Sequence, residues 1–154
     1  MEGVHDETEQ TMEHGVPHIA QSEEMSCWAA SAAMMLSWRY GAEYTEASVL
    51  ELFPEFGKDG ADVAECLKLS QELGMQQLPE ACRTPEGWET ELQSSPIMVG
   101  IPGHFIVVDG IQQNGDQWEM HVLDPAGSAY WATYEWVEEQ YELDHMYGND
   151  LMRW

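Results

Sequence analysis

Two different patterns of apolar residues divide the chain into a helical first half and a strand-rich second half. Residues 26–41 are Ala-rich and almost wholly apolar up to Leu36, and Gly41 follows, which predicts a buried central helix with Cys27 in its first turn. Helix-start signals predict three more helices: from Thr45 to before Pro54, from about residue 62 to 72, and from Thr84-Pro85 onward.

The pattern changes after residue 96 to short runs that are typical of β-strands. Residues 97–101 and 104–108 are rich in β-branched residues and are separated by Pro102-Gly103. Asn114-Gly115 predicts a hairpin turn, with residues 117–123 as the returning strand. A further strand near residues 130–132 precedes a helix capped by Thr133. Helices followed by an antiparallel sheet predict an α+β fold.

The domain boundaries follow from composition. Residues 1–15 are polar and acidic and show no periodicity, which predicts a mobile tail, and residues 16–154 are expected to form a single domain. No apolar run approaches the ~20 residues that a membrane-spanning helix needs. The acidic N-terminal residues are also unlike a secretory signal. We therefore expect synthesis in the cytoplasm without a signal peptide.

The charge balance excludes several classes of partner. The chain has 29 acidic and 5 basic residues, a net charge of −24. Five basic side chains are too few to neutralise a useful number of phosphates, so nucleic-acid binding is not expected. An anionic membrane surface would repel the chain for the same reason. The three cysteines form no CxxC motif and no paired framework, which indicates a reducing compartment.

Cys27 is a candidate nucleophile because of its predicted position. At the start of a helix, the unpaired N–H groups and the helix dipole favour a thiolate. A buried structural cysteine is the alternative, and position alone does not exclude it. Cys66 and Cys82 are interpreted as cysteines without a catalytic role.

Three other residues could complete a catalytic site around this thiol. His104 begins a predicted strand, and Asp124 ends the strand that returns toward it, so Asp124 could hold the imidazole ring as the third member of a triad does. A two-residue turn at Asn114-Gly115 would put His104 opposite residue 125, and a single bulge or a three-residue loop would bring it opposite Asp124. The amide of Gln21, six residues before Cys27, could help to bind an oxyanion.

The conjunction of these residues resembles the papain-like cysteine peptidases. Gln21 followed after five residues by CWAA (27–30) resembles their active-site helix, GHFIVVDGI (103–111) their histidine strand, and VLDP (122–125) the Asp-Pro ending of compact bacterial members. Cys27 and His104 are only 77 positions apart, which favours two compact groups: bacteriocin-leader peptidase domains and papain-like effector proteases of bacterial pathogens. The CWAA run favours the effector group.

The resemblance implies a fold and a set of roles. It implies an N-terminal helical half with a buried active-site helix and a C-terminal antiparallel sheet. Cys27 would be the nucleophile, His104 the general base and acid, Asp124 the orienting residue and Gln21 the oxyanion donor. Trp28 and Trp131 are candidates for lining the substrate cleft, and Trp131 also for shielding the His–Asp pair.

No metal or other cofactor is expected. His5, His14 and His18 lie near Glu13, but nothing in the predicted tail fixes a coordination geometry. The expected activity is hydrolysis of a peptide bond in a protein through an acyl-enzyme. A cell-wall amidase or transpeptidase with the same triad, and an inactive peptide-binding module, remain as alternatives.

The expected partners also come from the resemblance and the charge. They are a protein or peptide substrate with basic segments, or with small residues at the cut, and a cognate inhibitor (immunity) protein. An effector or toxin exported by a specialised secretion system is the biological role that the resemblance implies.

Overall fold

The computed structural model describes residues 12–22, 26–54, 63–78, 84–101, 104–141, 143 and 150–154. Its helices are α1 (Cys27–Tyr40), α2 (Glu46–Leu52), α3 (Val63–Leu73), α4 (Pro85–Leu92) and α5 (Tyr134–Gln140). Each lies where the sequence predicts a helix. The predicted caps are confirmed as well: Gly41 ends α1 in the left-handed conformation, and Thr45, Thr84 and Thr133 each accept a hydrogen bond from their helix's first turn.

The strands form one antiparallel sheet. They are β1 (Met12–Glu13), β2 (Gln76–Gln77), β3 (Ile97–Ile101), β4 (His104–Asn114), β5 (Gln117–Leu123), β6 (Ala129–Thr133) and β7 (Asp150–Arg153). Their order in the sheet is β2-β7-β3-β4-β5-β6, and β1 pairs with β4. The α+β architecture predicted from the sequence is therefore present.

The expected register of the β4–β5 hairpin is wrong. Asn114 pairs with Gln117, so the turn is Gly115-Asp116, one residue later than predicted, and Gly115 takes the positive φ of 68°. A bulge between Val108 and Gly110 then shifts the pairing so that Val107 lies opposite Leu123. Continued from there, the register would place His104 opposite residue 126. Asp124 reaches His104 because it lies just beyond the end of β5.

Two apolar clusters cover the two faces of the sheet. Phe105 and Val107 of β4 pack with α1 in one cluster. Ile106 and Val108, which alternate with them, pack in the other with residues of α4 and α5. Since α1 has eleven buried residues and is apolar on all sides, it is held firmly and fixes the position of Cys27 at its start.

The last residues of the predicted N-terminal tail contact the sheet. Met12 and Glu13 pair with Ile111 and Gly110, and the His14 N–H donates to the Asp109 carbonyl at 2.9 Å. Residues 12–14 are therefore attached to β4, and residues 1–11 of the predicted tail lie outside the described part. Among the described helices, none is long and apolar enough to cross a membrane.

Candidate active site

The thiol of Cys27 lies at the N-terminus of α1. Cys27 is the first residue of the helix and is 6 % exposed. The N-cap residue Ser26 makes no side-chain capping hydrogen bond, and no acidic residue occupies the first turn. The positive end of the helix dipole therefore faces the thiol without a carboxylate of its own first turn to weaken it.

His104 connects the thiol to a carboxylate. It is the first residue of β4, and its Nε2 lies 2.7 Å from Oδ1 of Asp124. The Cys27 side chain is the second hydrogen-bond partner of the ring. Because Nε2 is engaged by Asp124, Nδ1 is left for the sulfur. The structure thus brings the side chains of Cys27, His104 and Asp124 together, with His104 between the other two.

The environment of His104 favours the protonated ring. Its hydrogen bond to Asp124, followed by that to Cys27, raises the pKa of His104 to about 9, although burial opposes the shift. At neutral pH the ring is therefore an imidazolium next to the sulfur. A positive charge in that position stabilises negative charge on the thiol.

Asp124 is held as an ionised carboxylate by three donors. Burial alone would raise its pKa, but hydrogen bonds from His104, Tyr141 and the Ala126 N–H outweigh burial and lower it. The Ala126 N–H donates to Oδ1 at 2.9 Å, and the Tyr141 hydroxyl donates to Oδ2 at 2.8 Å. Both oxygens are thus fixed, which sets the plane of the carboxylate that faces His104.

Sequence reasoning missed Tyr141 and Tyr130. Tyr141 follows α5, and its hydroxyl also hydrogen-bonds with the hydroxyl of Tyr130 on β6. Burial is the main reason why the pKa of Tyr141 lies far above its ordinary value, so the hydroxyl keeps the proton that it donates. No local pattern predicts this contact, since it depends on how α5 packs against β5 and β6.

Gln21 lies in a segment that is attached to the turn after Asp124. The Gln21 N–H donates to the Pro125 carbonyl at 2.9 Å, and Nε2 of His18 donates to the Asp124 carbonyl at 2.7 Å. These bonds place the backbone of Gln21 beside the loop that carries Asp124. The role of its side chain as an oxyanion donor stays a prediction.

The two tryptophans differ in their surroundings, and the expected role of Trp131 in the substrate cleft stays a prediction. Trp28 is 1 % exposed and belongs to the apolar cluster that contains α1, so almost none of its side chain is accessible to a substrate. Trp131 packs against the ring of His121, with centroids 4.9 Å apart. The aromatic side chain of Tyr141 contacts the His–Asp pair through its hydroxyl, which donates to Asp124.

A second His–Asp pair lies on the same sheet. His121 Nδ1 is 2.5 Å from Asp109 Oδ1 and 3.4 Å from Glu13 Oε1. Asp109 is fully buried and also accepts the Val16 N–H at 3.0 Å. Burial lowers the pKa of His121, but the bond to Asp109 and the charges of Asp109 and Glu13 outweigh it and raise that pKa. The three side chains tie β1 and the segment after it to β4 and β5.

Comparison with known proteins gives one family and several similar structures. Residues 10–142 match the family model described as papain-like cysteine protease AvrRpt2. No curated protein matches the chain significantly.

Three solved structures share the fold. A double glycine motif protease from an AMS/PCAT transporter, solved in complex with the leader peptide, is 22 % identical, with a TM-score of 0.56 and coverage of 94 % of this chain and 97 % of that one. A putative C39-like peptidase from Bacillus anthracis is 15 % identical, with a TM-score of 0.64 and the same coverage. The peptidase domain of Streptococcus ComA, a bifunctional ABC transporter, is 16 % identical, with a TM-score of 0.58 and coverage of 90 % and 98 %.

Proposed function

We propose, given that this chain belongs to the family of the papain-like cysteine protease AvrRpt2 and is a thiol protease, that it is an endopeptidase whose catalytic residues are Cys27, His104 and Asp124. The observation that carries this assignment is that His104 has two hydrogen-bond partners, Asp124 on one side and Cys27 on the other. A structural cysteine would need no such histidine.

The reaction follows from the protonation states of the site. The Cys27 sulfur attacks the carbonyl carbon of the substrate, and the electron pair of the C=O bond moves to the oxygen. The Cys27 N–H and the Gln21 amide stabilise that oxyanion. His104 gives its proton to the leaving amine as the C–N bond breaks, which leaves an acyl-enzyme. His104 then takes a proton from water as the water oxygen attacks the acyl carbon. The C–S bond breaks, which releases the acid product and leaves the Cys27 thiolate beside the protonated His104.

The proposed substrates are proteins or peptides with basic segments, or with small residues at the cut. The charge of −24 supports the preference for basic segments. A preference for small residues at the cut is supported by the similarity to the double glycine motif protease that was solved in complex with the leader peptide. The proposed role is that of an effector or toxin, exported by a specialised secretion system and countered by an immunity protein, and the family name supports it.

The test compares new protein N-termini in a lysate treated with wild-type protein, with Cys27→Ala or with Cys66→Ala. We expect the wild type and Cys66→Ala to produce the same set of new N-termini. Cys27→Ala should produce none above background, because the nucleophile is absent. Cys66→Ala is the matched control, since it makes the same change at another cysteine.

Three outcomes would contradict the proposal. Full activity of Cys27→Ala would show that another residue is the nucleophile. Cleavage of purified peptidoglycan without any protein cleavage would favour the amidase or transpeptidase alternative. Failure of Cys27 to react with an epoxide inhibitor would favour the inactive peptide-binding module.

A further inference from the structure

A buried carboxylate lies behind the segment that leads into the active-site helix. Glu46, the first residue of α2, is 8 % exposed. Its Oε2 accepts hydrogen bonds from the Ser22 N–H and from the Ser26 hydroxyl, both at 2.8 Å, and its Oε1 accepts one from the Ser22 hydroxyl. The carboxylate of Glu46 thus accepts three hydrogen bonds from Ser22 and Ser26, which are four positions apart in the sequence.

Glu46 is not needed to cap its own helix. The N-terminus of α2 is already closed by a capping box, in which Thr45 accepts the Ser48 N–H at 3.0 Å and Ser48 accepts the Thr45 N–H at 2.8 Å. The Glu46 side chain points instead to the neighbouring segment. Since a buried carboxylate is costly unless its oxygens are hydrogen-bonded, the three donors are what makes this position tolerable.

The side chain of Ser26 does not make the hydrogen bond that is usual for an N-cap serine. Such a serine normally accepts an N–H of the first helical turn with its hydroxyl oxygen. Here the hydroxyl donates to Glu46 and makes no capping bond, while the Ser26 carbonyl accepts the Ala29 and Ala30 N–H groups, both at 3.1 Å. Glu46 therefore keeps the serine side chain away from the N–H groups at the start of α1.

The two serines flank the residues that would bind the oxyanion. Ser22 directly follows Gln21, and Ser26 directly precedes Cys27. We infer that Glu46 is a positioning residue that fixes the distance between the Gln21 amide and the Cys27 N–H, so that both donors meet the developing oxyanion. This inference rests on the proposed function of the same site.

Thiolate formation and oxyanion binding are two separate properties of the site. Thiolate formation depends on His104 and on the helix dipole, whereas the hydrogen bonds of Glu46 go to Ser22 and Ser26. Oxyanion binding depends on donors held in place before the reaction, and the loss of one such donor costs about 10²–10³ in rate. A change at Glu46 should therefore slow reactions that pass through an oxyanion and spare those that do not.

Two small reagents can measure thiolate reactivity and oxyanion binding separately, and neither requires that the protein substrate be known. With p-nitrophenyl acetate, the Cys27 sulfur attacks the carbonyl carbon, an oxyanion forms, and nitrophenolate leaves an acetylated thiol. With iodoacetamide, the sulfur displaces iodide from the CH2 carbon in one step, and no oxyanion forms. We would measure both second-order rate constants from pH 5 to 9 for the wild type, Glu46→Gln and Glu51→Gln, with Cys27→Ala as the blank.

We expect Cys27 to be acylated about 100-fold more slowly in Glu46→Gln than in the wild type. The NH2 group of the glutamine cannot accept a hydrogen bond, so at least one donor of Ser22 or Ser26 loses its partner. The alkylation rate of this variant should stay within about twofold, with the same pH profile, since the thiol and His104 are untouched. Glu51→Gln, the same substitution at an exposed residue of the same helix, should match the wild type in both reactions.

Acylation of Glu46→Gln at the wild-type rate would overturn the inference. Equal losses in both reactions would also overturn it, since they would mean that Glu46 only supports the fold around the thiol. If Glu46→Gln does not fold, Ser26→Ala decides: it should lose acylation and keep alkylation, and wild-type acylation there would reject the inference. A wild-type protein that reacts with both probes but cleaves no protein would instead contradict the proposed function.

Discussion

The imidazole of His104 links the chemistry of the site to the stability of the fold. Its pKa is about 9 in the folded protein, against 6.5 for a free histidine. The folded state therefore binds the proton more tightly than the unfolded state does. The resulting stabilisation is fully present below about pH 6.5 and is lost as the pH rises through 9.

We expect the melting temperature of the wild type to fall between pH 6.5 and 9.5 by more than that of His104→Gln. A glutamine can still hydrogen-bond with Asp124 but does not titrate, so it lacks this contribution. Thermal unfolding at several pH values measures the difference, and NMR titration of the ring protons gives the pKa directly. A ring that titrates near 6.5 would contradict the hydrogen bonds of His104 with Asp124 and Cys27.

Tyr141 should contribute to stability through its bond to Asp124. Tyr141→Phe removes a hydroxyl that donates to Oδ2 at 2.8 Å and leaves the ring in place. Because hydrogen bonds to charged groups contribute about 1.5–3 kcal/mol, we expect the free energy of unfolding to fall by about 2 kcal/mol at pH 7.

The pKa of Asp124 should rise in the same variant, since one of its donors is gone. Urea unfolding gives the stability, and Tyr40→Phe is the control because Tyr40 is 60 % exposed. Equal losses in the two variants would mean that the hydroxyl bond to Asp124 contributes nothing.

At the scale of elements, the sequence predicts what depends on near neighbours. Thr45 and Thr84 mark helix starts because a cap acts within three residues, and the apolar run after Cys27 predicts a buried helix by composition alone. The hairpin turn lies one residue later than predicted, at Gly115-Asp116 instead of Asn114-Gly115. Either position would put Gly115 in the turn, where it can take a positive φ, so the local sequence does not distinguish the two.

The elements that the sequence does not predict depend on distant partners. Strands β1, β2 and β7 have two to four residues each, too few for a periodic pattern, and they exist because the sheet supplies hydrogen bonds to them. The same reason explains the site. Cys27, His104 and Asp124 could be proposed from residue type and local position, whereas Tyr141 and Glu46 act through contacts that only the folded chain creates.

At the scale of the whole molecule, the 29 acidic residues far outnumber the 5 basic ones. Arg153 is bound to Glu91 at 2.7 Å, and the guanidinium of Arg39 lies over the ring of Trp154. These side chains are therefore engaged within the described part of the fold. A field of one sign attracts basic peptides and is weakened by salt, because the Debye length falls from about 30 Å at 0.01 M to about 3 Å at 1 M.

We expect a peptide flanked by lysines to be cleaved with a higher kcat/KM than the same peptide flanked by glutamates. The ratio should be about tenfold or more at 0.01 M salt and should approach one at 1 M, since steering raises association rates by at least that factor. Matched peptides with one scissile bond, once such a bond is identified, provide the measurement. Equal rates at low salt would reject the preference for basic segments and leave the catalytic assignment intact.

The position of β7 in the sheet has a consequence for how the protein is made. This strand lies between β2 and β3 and pairs Met152 with Met98 and with Gln77. Among the described strands it is the last to leave the ribosome, so that edge of the sheet has no partner until synthesis has passed residue 150. Pairings over such sequence distances form slowly because a long loop must close first. The β4–β5 hairpin can form first because its two strands are close in the sequence, whereas this part of the sheet is completed only once β7 has paired with β3.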